Sequence, residues 1–477
     1  MTRFDRRSFL RRAAALGGGA MFAPSLGALT GWSALDAAGA ARLRPLNNGG
    51  YRDLVRSPDC PELWIPPEFR VVAVSRAQQA SQADAGFIVP TAMDGMSAFA
   101  LPNGNIRLIR NHEMANAATR AAPLGTRLYD RLASGGTTSL EIDVSDIGVG
   151  VPSVVSEYVS LGGTHINCAG GRTPWNSWLT CEETTNGPSR GFEQPHGYIF
   201  DVPVGATAAV EPVPLRAMGR FVHEAVAVDP RTGIVYETED IRWAENNPAR
   251  PGAGFYRFIP NRNGVLHEGG RLQILGVAGR PVYNTVAGQT VGARLDVAWF
   301  DIEDPDPASA EADPSAVFRE GRSKGGAIFE RLEGCFWADD SCYFVSTSGG
   351  DARAGQVWRY VPGDGDGGWL TLIFESPSRD VLDAPDNICV SARGGIVICE
   401  DGLNEQYIRG LTPAGAMVDL VMQPDTADDE PDPPEFAGCC FSPDGRVLFF
   451  NVQGSTRSYG RAGATYALWG PWENGSI

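Results

Sequence analysis

A two-stranded unit that recurs along the chain constrains the fold more than any other feature. Glu224–Glu239 can be laid over Asp386–Glu400 and over Phe436–Asn451, and looser copies run from Gly95 to Glu113, Cys168 to Glu183 and Glu333 to Ser348. Each copy is a small or apolar strand, a turn rich in Pro, Asp and Gly, and a second apolar strand ending in a polar or acidic group. Convincing amphipathic helices are nearly absent, so the pattern predicts an all-β chain. Six hairpins with other strands between them predict radial repetition: a β-propeller, six-bladed, in preference to a two-sheet sandwich. Blades arranged around a channel leave only short edges, and the start of each first strand faces the channel mouth. Insertions fall at Asn246–Ala253, Asp301–Ser323 and Gln423–Pro434; the last two are acidic and proline-rich and read as surface loops.

The chain has 477 residues, 43% hydrophobic and 9% aromatic, enough for a large core and too apolar for disorder. A formal charge of −17 argues against nucleic acid or an anionic membrane as partner, and suits the collection of cations. Five histidines are too few for a centre built mainly of imidazole, whereas 57 Asp and Glu favour carboxylate oxygen and hard ions such as calcium. At the N-terminus, Arg6-Arg7-Ser8-Phe9-Leu10 matches a twin-arginine export signal. Ala13–Leu29 is weakly apolar, broken by Gly17–Gly19 and Pro24, and falls short of the roughly 20 strongly apolar residues of a span. Ala38-Gly39-Ala40 offers a cleavage site. The expectation is therefore a signal over 1–40 read by the twin-arginine machinery, then one propeller domain over 41–477 with no stable membrane span, periplasmic or extracellular. Nine cysteines with no CxxC pair do not make a disulfide framework; most sit in apolar runs, as small buried hydrophobes do.

Ionisable groups recur at equivalent places of the unit. Cys168, Glu224, Glu333 and Asp386 lie near the start of first strands; Glu182, Glu239 and Glu400 near the end of second strands, with Glu113 comparable. Cys168/Glu182, Glu224/Glu239 and Asp386/Glu400 are 14 or 15 residues apart, positions that a hairpin brings together again. Carboxylates crowded on one axis would repel and stay protonated unless cations neutralise them. The set as a whole therefore points to several metal ions, although any one acid has the alternative of pairing with arginine or sitting on an exposed turn. Cys168 lies in a polar, glycine-rich run, where a thiolate among carboxylates needs a metal such as iron or zinc; the alternative is a buried hydrophobe. Arg331 precedes Glu333 by two residues, so strand alternation places both side chains on one face, suited to gripping a phosphate or carboxylate or to a structural ion pair. His165 and His223 read as structural. No G-x-S-x-G, P-loop, H-E-x-x-H or G-x-G-x-x-G opening a helix is present.

Asn111-His-Glu113, Asn167-Cys-Ala-Gly-Gly171, Trp178-Leu-Thr-Cys-Glu-Glu183, Arg220-Phe-Val-His-Glu-Ala225, Tyr236-Glu-Thr-Glu-Asp240, Arg331-Leu-Glu-Gly334, Ser346-Thr-Ser-Gly-Gly-Asp351, Ala384-Pro-Asp-Asn387, Cys399-Glu-Asp401 and Glu435-Phe-Ala-Gly-Cys439, in that order, resemble the PhoX family of secreted alkaline phosphatases. The resemblance runs from about residue 50 to the end. It implies a Tat-exported propeller that hydrolyses phosphomonoesters at iron (Fe3+) and calcium (Ca2+) ions joined by an oxo group. By motif, Cys168 resembles the thiolate ligand of iron. Glu113, Glu182, Glu239, Glu333 and Glu400 or Asp401 resemble the carboxylate ligands, and Arg331 the phosphate clamp, with Asn167 beside it toward substrate. The expected function is a secreted, metal-dependent phosphomonoesterase. Two other readings compete: a calcium-dependent lactonase or esterase, which needs neither Cys168 nor iron, and a non-enzymatic propeller in which calcium is structural.

Overall fold

Each repeated segment folds as an antiparallel hairpin in the computed structural model. The six are Met93–Ala100 with Ile106–His112, Asn167–Arg172 with Ser177–Glu182, His223–Val228 with Val235–Glu239, Leu332–Ala338 with Ser341–Ser346, Pro385–Val390 with Ile396–Glu400, and Phe436–Phe441 with Val447–Val452. The structure describes residues 48–477 apart from 116–123, 146, 148–149, 403–404, 425–434 and 455–462. The export signal expected at Arg6 and Arg7, its cleavage site at Ala38–Ala40 and most of the Gln423–Pro434 insertion lie outside the described residues.

The six first strands are neighbours in a closed cycle, each packing on the next, with Phe436–Phe441 returning to Met93–Ala100. Such close approach needs residues without side chains. A Cβ on Gly334 would sit 2.5 Å from the carbonyl oxygen of Asp386, and one on Gly95 2.6 Å from Cα of Ala169. Further strands extend outward, giving an all-β, propeller-like arrangement. Hydrogen bonding divides it into sheets of four, three, nine, six and four strands among the described residues, not six equal units. The nine-stranded sheet exists because Arg294–Asp301 pairs with Gly270–Val277 on one side and Gly368–Glu375 on the other. In the last sheet Arg70–Arg76 pairs with Ala464–Trp469, so the first long strand of the chain completes the sheet of its end.

Apolar side chains fill the space between successive sheets; Leu179, Ile199, Val226, Phe258 and Ile274 share one such layer. The Asp301–Ser323 insertion departs from the surface loop expected of it. Ala316–Ser323 is an α-helix that buries Val317 and Phe318 in that same layer. Burying a side chain of this size contributes roughly 1.5–3 kcal/mol, which outweighs the acidic, proline-rich character of the rest of the insertion.

One irregularity recurs and positions everything that follows. In every hairpin the register slips near its start, after the first pair in five and after the second in the last: Met93/Met96, Asn167/Gly170, His223/Val226, Leu332/Cys335, Pro385/Ile388 and Ala437/Cys440. In the first five, two residues therefore stand opposite one: Asp94-Gly95, Cys168-Ala169, Glu224-Ala225, Glu333-Gly334 and Asp386-Asn387. A bulge bends its strand and re-aims a side chain. Here it is a titratable one followed by a small or short residue.

Candidate metal centre

The five bulged groups Asp94, Cys168, Glu224, Glu333 and Asp386 are all buried and converge at one end of the cycle of first strands. Ligand atoms of Cys168, Glu183 and Glu224 lie within 4.8 Å of one another, as do those of Glu224, Glu333 and Asp386, and those of Asp94, Glu113 and Glu435. Glu224 belongs to two of these groups. Asp240 and Asp401 complete the assembly: Asp240 receives Arg331, and Asp401 lies against Glu435. Nine carboxyls and one thiol thus form one cluster, with the guanidinium of Arg331 against two of them, Asp240 and Glu333. The thiol of Cys168 donates to Oε1 of Glu224 at 3.3 Å. Gln453 donates through Nε2 to Asp94 at 2.8 Å and to Glu113 at 2.6 Å.

Burial and mutual repulsion govern the charges. Burial first, then Glu333, Glu183 and Asp386, push the Glu224 carboxyl well above the usual carboxylate range. Asp94, Glu183, Glu333 and Glu435 move the same way, with burial the leading cause in each. Asp386 is raised to about 8 by burial and by Asp401. Burial, then Asp94 and Glu224, push the Cys168 thiol far up. Without added positive charge these groups hold their protons.

Arg331 is the exception. Burial works against its charge, but Glu333 and Asp240 outweigh it and hold the guanidinium protonated. Nε and Nη2 donate to the two oxygens of Asp240 at 3.0 and 2.9 Å, and Nη2 lies 2.7 Å from Glu333. Its backbone has φ of 44°, a left-handed conformation costly for arginine. Bonds from its N–H to Ile241 and from Thr347 N–H to its carbonyl hold it there.

Of the residues expected at the site, Cys168, Glu113, Glu333, Asp401 and Arg331 are brought together. Glu182, Glu239, Glu400 and Asn167 are not, which corrects those four assignments. Glu182 points the other way, onto His196 at 2.6 Å and the N–H of Gly197 at 2.8 Å. Glu239 accepts from Gly254 N–H and Tyr256 hydroxyl, both at 2.8 Å. Glu400 takes Nε of Arg409 at 2.8 Å. Asn167 is fully buried between the hydroxyls of Thr164 and Thr180, which take up its side chain. The next residue takes the expected place in three cases: Glu183, Asp240 and Asp401. The sequence reading gave Asp94 and Glu435 no ligand role, although Glu435 opens one of the quoted motifs; the signal for Asp94 was its Asp-Gly pair, parallel to Glu333-Gly334. His165 and His223 are buried, His223 with Nε2 on the carbonyl of Gly219 at 3.1 Å and His165 with Nε2 taking Asn186 at 3.1 Å. All nine cysteines are free and buried.

Among solved structures the chain is similar to Pseudomonas fluorescens PhoX in complex with vanadate, described there as a transition-state analogue. The TM-score is 0.64 at 16% identity, covering 90% of this chain and 99% of that one. It is also similar to the gluconolactonase XC5397 of Xanthomonas campestris, with a TM-score of 0.41 at 12% identity over 90% of this chain and 99% of that one. No curated protein matches the sequence. Residues 50–455 match the family described as alkaline phosphatase PhoX, most of the chain and every element that contributes to the buried acids, and the chain belongs to that family.

Proposed function

We propose that the chain is an exported phosphomonoesterase that works with bound iron and calcium ions in the mouth of a six-bladed propeller. The observation that carries this reading is the convergence of nine carboxyls and one thiol in one cluster, two of whose members hold the partly exposed guanidinium of Arg331. Six bulged hairpins in a closed cycle support six blades within a domain from residue 41 onward. The twin-arginine motif supports export to the periplasm or beyond, and no helix among the described residues is long and apolar enough to cross a membrane.

The donor chemistry fits the ions. Oδ1 of Asp94 and Oε2 of Glu224 are buried without a protein partner, a costly state for oxygens that nothing else satisfies. Cys168, Glu183 and Glu224 mix thiolate with carboxylate and suit iron(III). Asp94, Glu113 and Glu435 offer oxygen alone and suit calcium, as do Glu333 and Asp386 beside Glu224. When bound, such ions supply Lewis acidity toward the phosphoryl oxygens and lower the pKa of the attacking water.

The chain's own part is positioning. Arg331 is locked through Nε and Nη2, and among the described residues its Nη1 has no partner. That nitrogen is free to hold an equatorial phosphoryl oxygen, whose charge is concentrated as the P–O bond to the leaving alcohol breaks. The Asp240 and Glu333 carboxylates fix the plane of the guanidinium, so little freedom is lost when substrate arrives. A phosphate ester also suits the chemistry better than a lactone, which would use neither the thiol nor the clamp.

Full-length protein exported with its own signal should hydrolyse p-nitrophenyl phosphate, contain iron and calcium by elemental analysis, and lose turnover on chelation or in Cys168→Ala. Turnover indifferent to both treatments would end this reading.

A further inference from the structure

Four second strands end in the same two-residue pattern: His112-Glu113, Glu182-Glu183, Glu239-Asp240 and Glu400-Asp401. The second member of each pair joins the acidic assembly. The first is buried, at most 1% exposed, and faces away. In all four it is bonded to the third strand of its own sheet or to the residues leading directly into it. His112 donates through Nδ1 to the carbonyl of Thr91 at 2.8 Å and accepts through Nε2 from Thr138, on Gly135–Asp143, at 2.8 Å. Glu182 takes the N–H groups of Gly197 at 2.8 Å and Tyr198 at 3.2 Å, directly before Ile199–Pro203. Glu239 takes Gly254 N–H and the hydroxyl of Tyr256, on Phe255–Pro260. Glu400 takes Arg409, on Gln406–Leu411.

We infer that these four residues are positioning residues, which clamp the end of the second strand to the third so that the adjoining acid stays at ion-binding distance. The physical need is clear. The end of a second strand carries a carboxyl that its neighbours repel, and a strand end held only by ladder bonds frays. A buried polar residue tied sideways costs more to release than any exposed contact, because both partners would be left unsatisfied. The bonding partners differ (a hydroxyl, amides with a histidine, amide with tyrosine, and an arginine), yet each joins the same two strands. Four different chemistries at one structural position argue for a common task, not for incidental packing.

This inference rests on the reading that Glu113, with Asp94 and Glu435, holds calcium, and the test separates the two. Metal-stripped full-length protein is titrated with calcium for the parent, His112→Gln, Thr138→Val and the ligand variant Glu113→Gln, at a temperature where circular dichroism shows each folded. Groups that orient metal ligands typically contribute 10–100-fold to metal affinity. His112→Gln and Thr138→Val should therefore each weaken calcium binding by about tenfold or more. Should Glu113→Gln weaken binding while His112→Gln and Thr138→Val match the parent and only melt earlier, the clamps are structural and the inference falls. Should Glu113→Gln itself bind calcium like the parent, the ion-binding reading falls and the inference with it. Thr138→Val, on the third strand, keeps the test open if His112→Gln fails to fold.

Discussion

At the scale of single residues the centre is an excess of acids arranged so that one arginine cannot be replaced. Arg331 presents Nε and Nη2 to Asp240 and Nη2 to Glu333, and among the described residues Nη1 makes no hydrogen bond. Lysine carries the same charge but a single nitrogen, so it could satisfy the two acids or a substrate oxygen and not both. Arg331→Lys should therefore lower kcat/KM for p-nitrophenyl phosphate by about 10²-fold, the usual cost of losing one transition-state donor, while the protein folds and retains metal. Steady-state kinetics with elemental analysis on the same sample checks both halves. The residue scale is also where the sequence was least legible. Glu182-Glu183, Glu239-Asp240 and Glu400-Asp401 are acidic doublets, and nothing in composition or spacing says which member faces the ions. The answer lies in what waits on the third strand, Gly197, Gly254 or Arg409, and those contacts are made only on folding.

At the scale of elements, the hairpins were readable because each is a pair of short, mostly small or apolar runs split by a turn rich in Pro, Asp and Gly. The bulges were not. Period-two reasoning assigns a side chain to a face by counting residues, and a two-against-one bulge shifts the count beyond it. Cys168 and Glu224 were placed near the start of their strands, which holds, but their aim comes from the bulge. The small residue after each bulged group has a separate task at the same scale. Gly334 faces backbone atoms of the neighbouring first strand, with Asp386 O at 2.5 Å and Ile388 N at 2.7 Å from where a Cβ would stand. Backbone cannot swing aside as a flexible side chain does. Gly334→Ala should thus destabilise the fold by about 1–3 kcal/mol, whereas Gly205→Ala, where nothing lies within 4 Å, should be close to neutral. Chemical unfolding of the two variants beside the parent decides this; equal losses would mean that the first strands are not closely apposed.

For the whole molecule, radial repetition was legible from the hairpins, but the sheet pattern was not. That Arg294–Asp301 would bond on both sides, or that Arg70–Arg76 would complete the sheet of the C-terminal strands, depends on pairings between strands far apart in the chain, which local sequence does not encode. The closed cycle brings acids from six separate hairpins to one place, and that has a thermodynamic consequence for the entire chain. Asp386 has an ordinary value of 3.8, and in the folded, metal-free protein burial and Asp401 raise it to about 8. Between these values the folded state binds more protons than the unfolded one, so metal-free stability falls as pH rises through that window and is highest at its acid end. Glu224, Glu333 and Glu183, also raised, add to the same slope. Ions that bind only the folded, ionised cluster oppose this, and do so more strongly as protons cease to compete. The chelated protein should therefore melt lower at pH 8 than at pH 5, and calcium should raise its Tm more at pH 8. A melting temperature of the chelated protein that rises from pH 5 to pH 8 would mean that the buried acids do not dominate its stability.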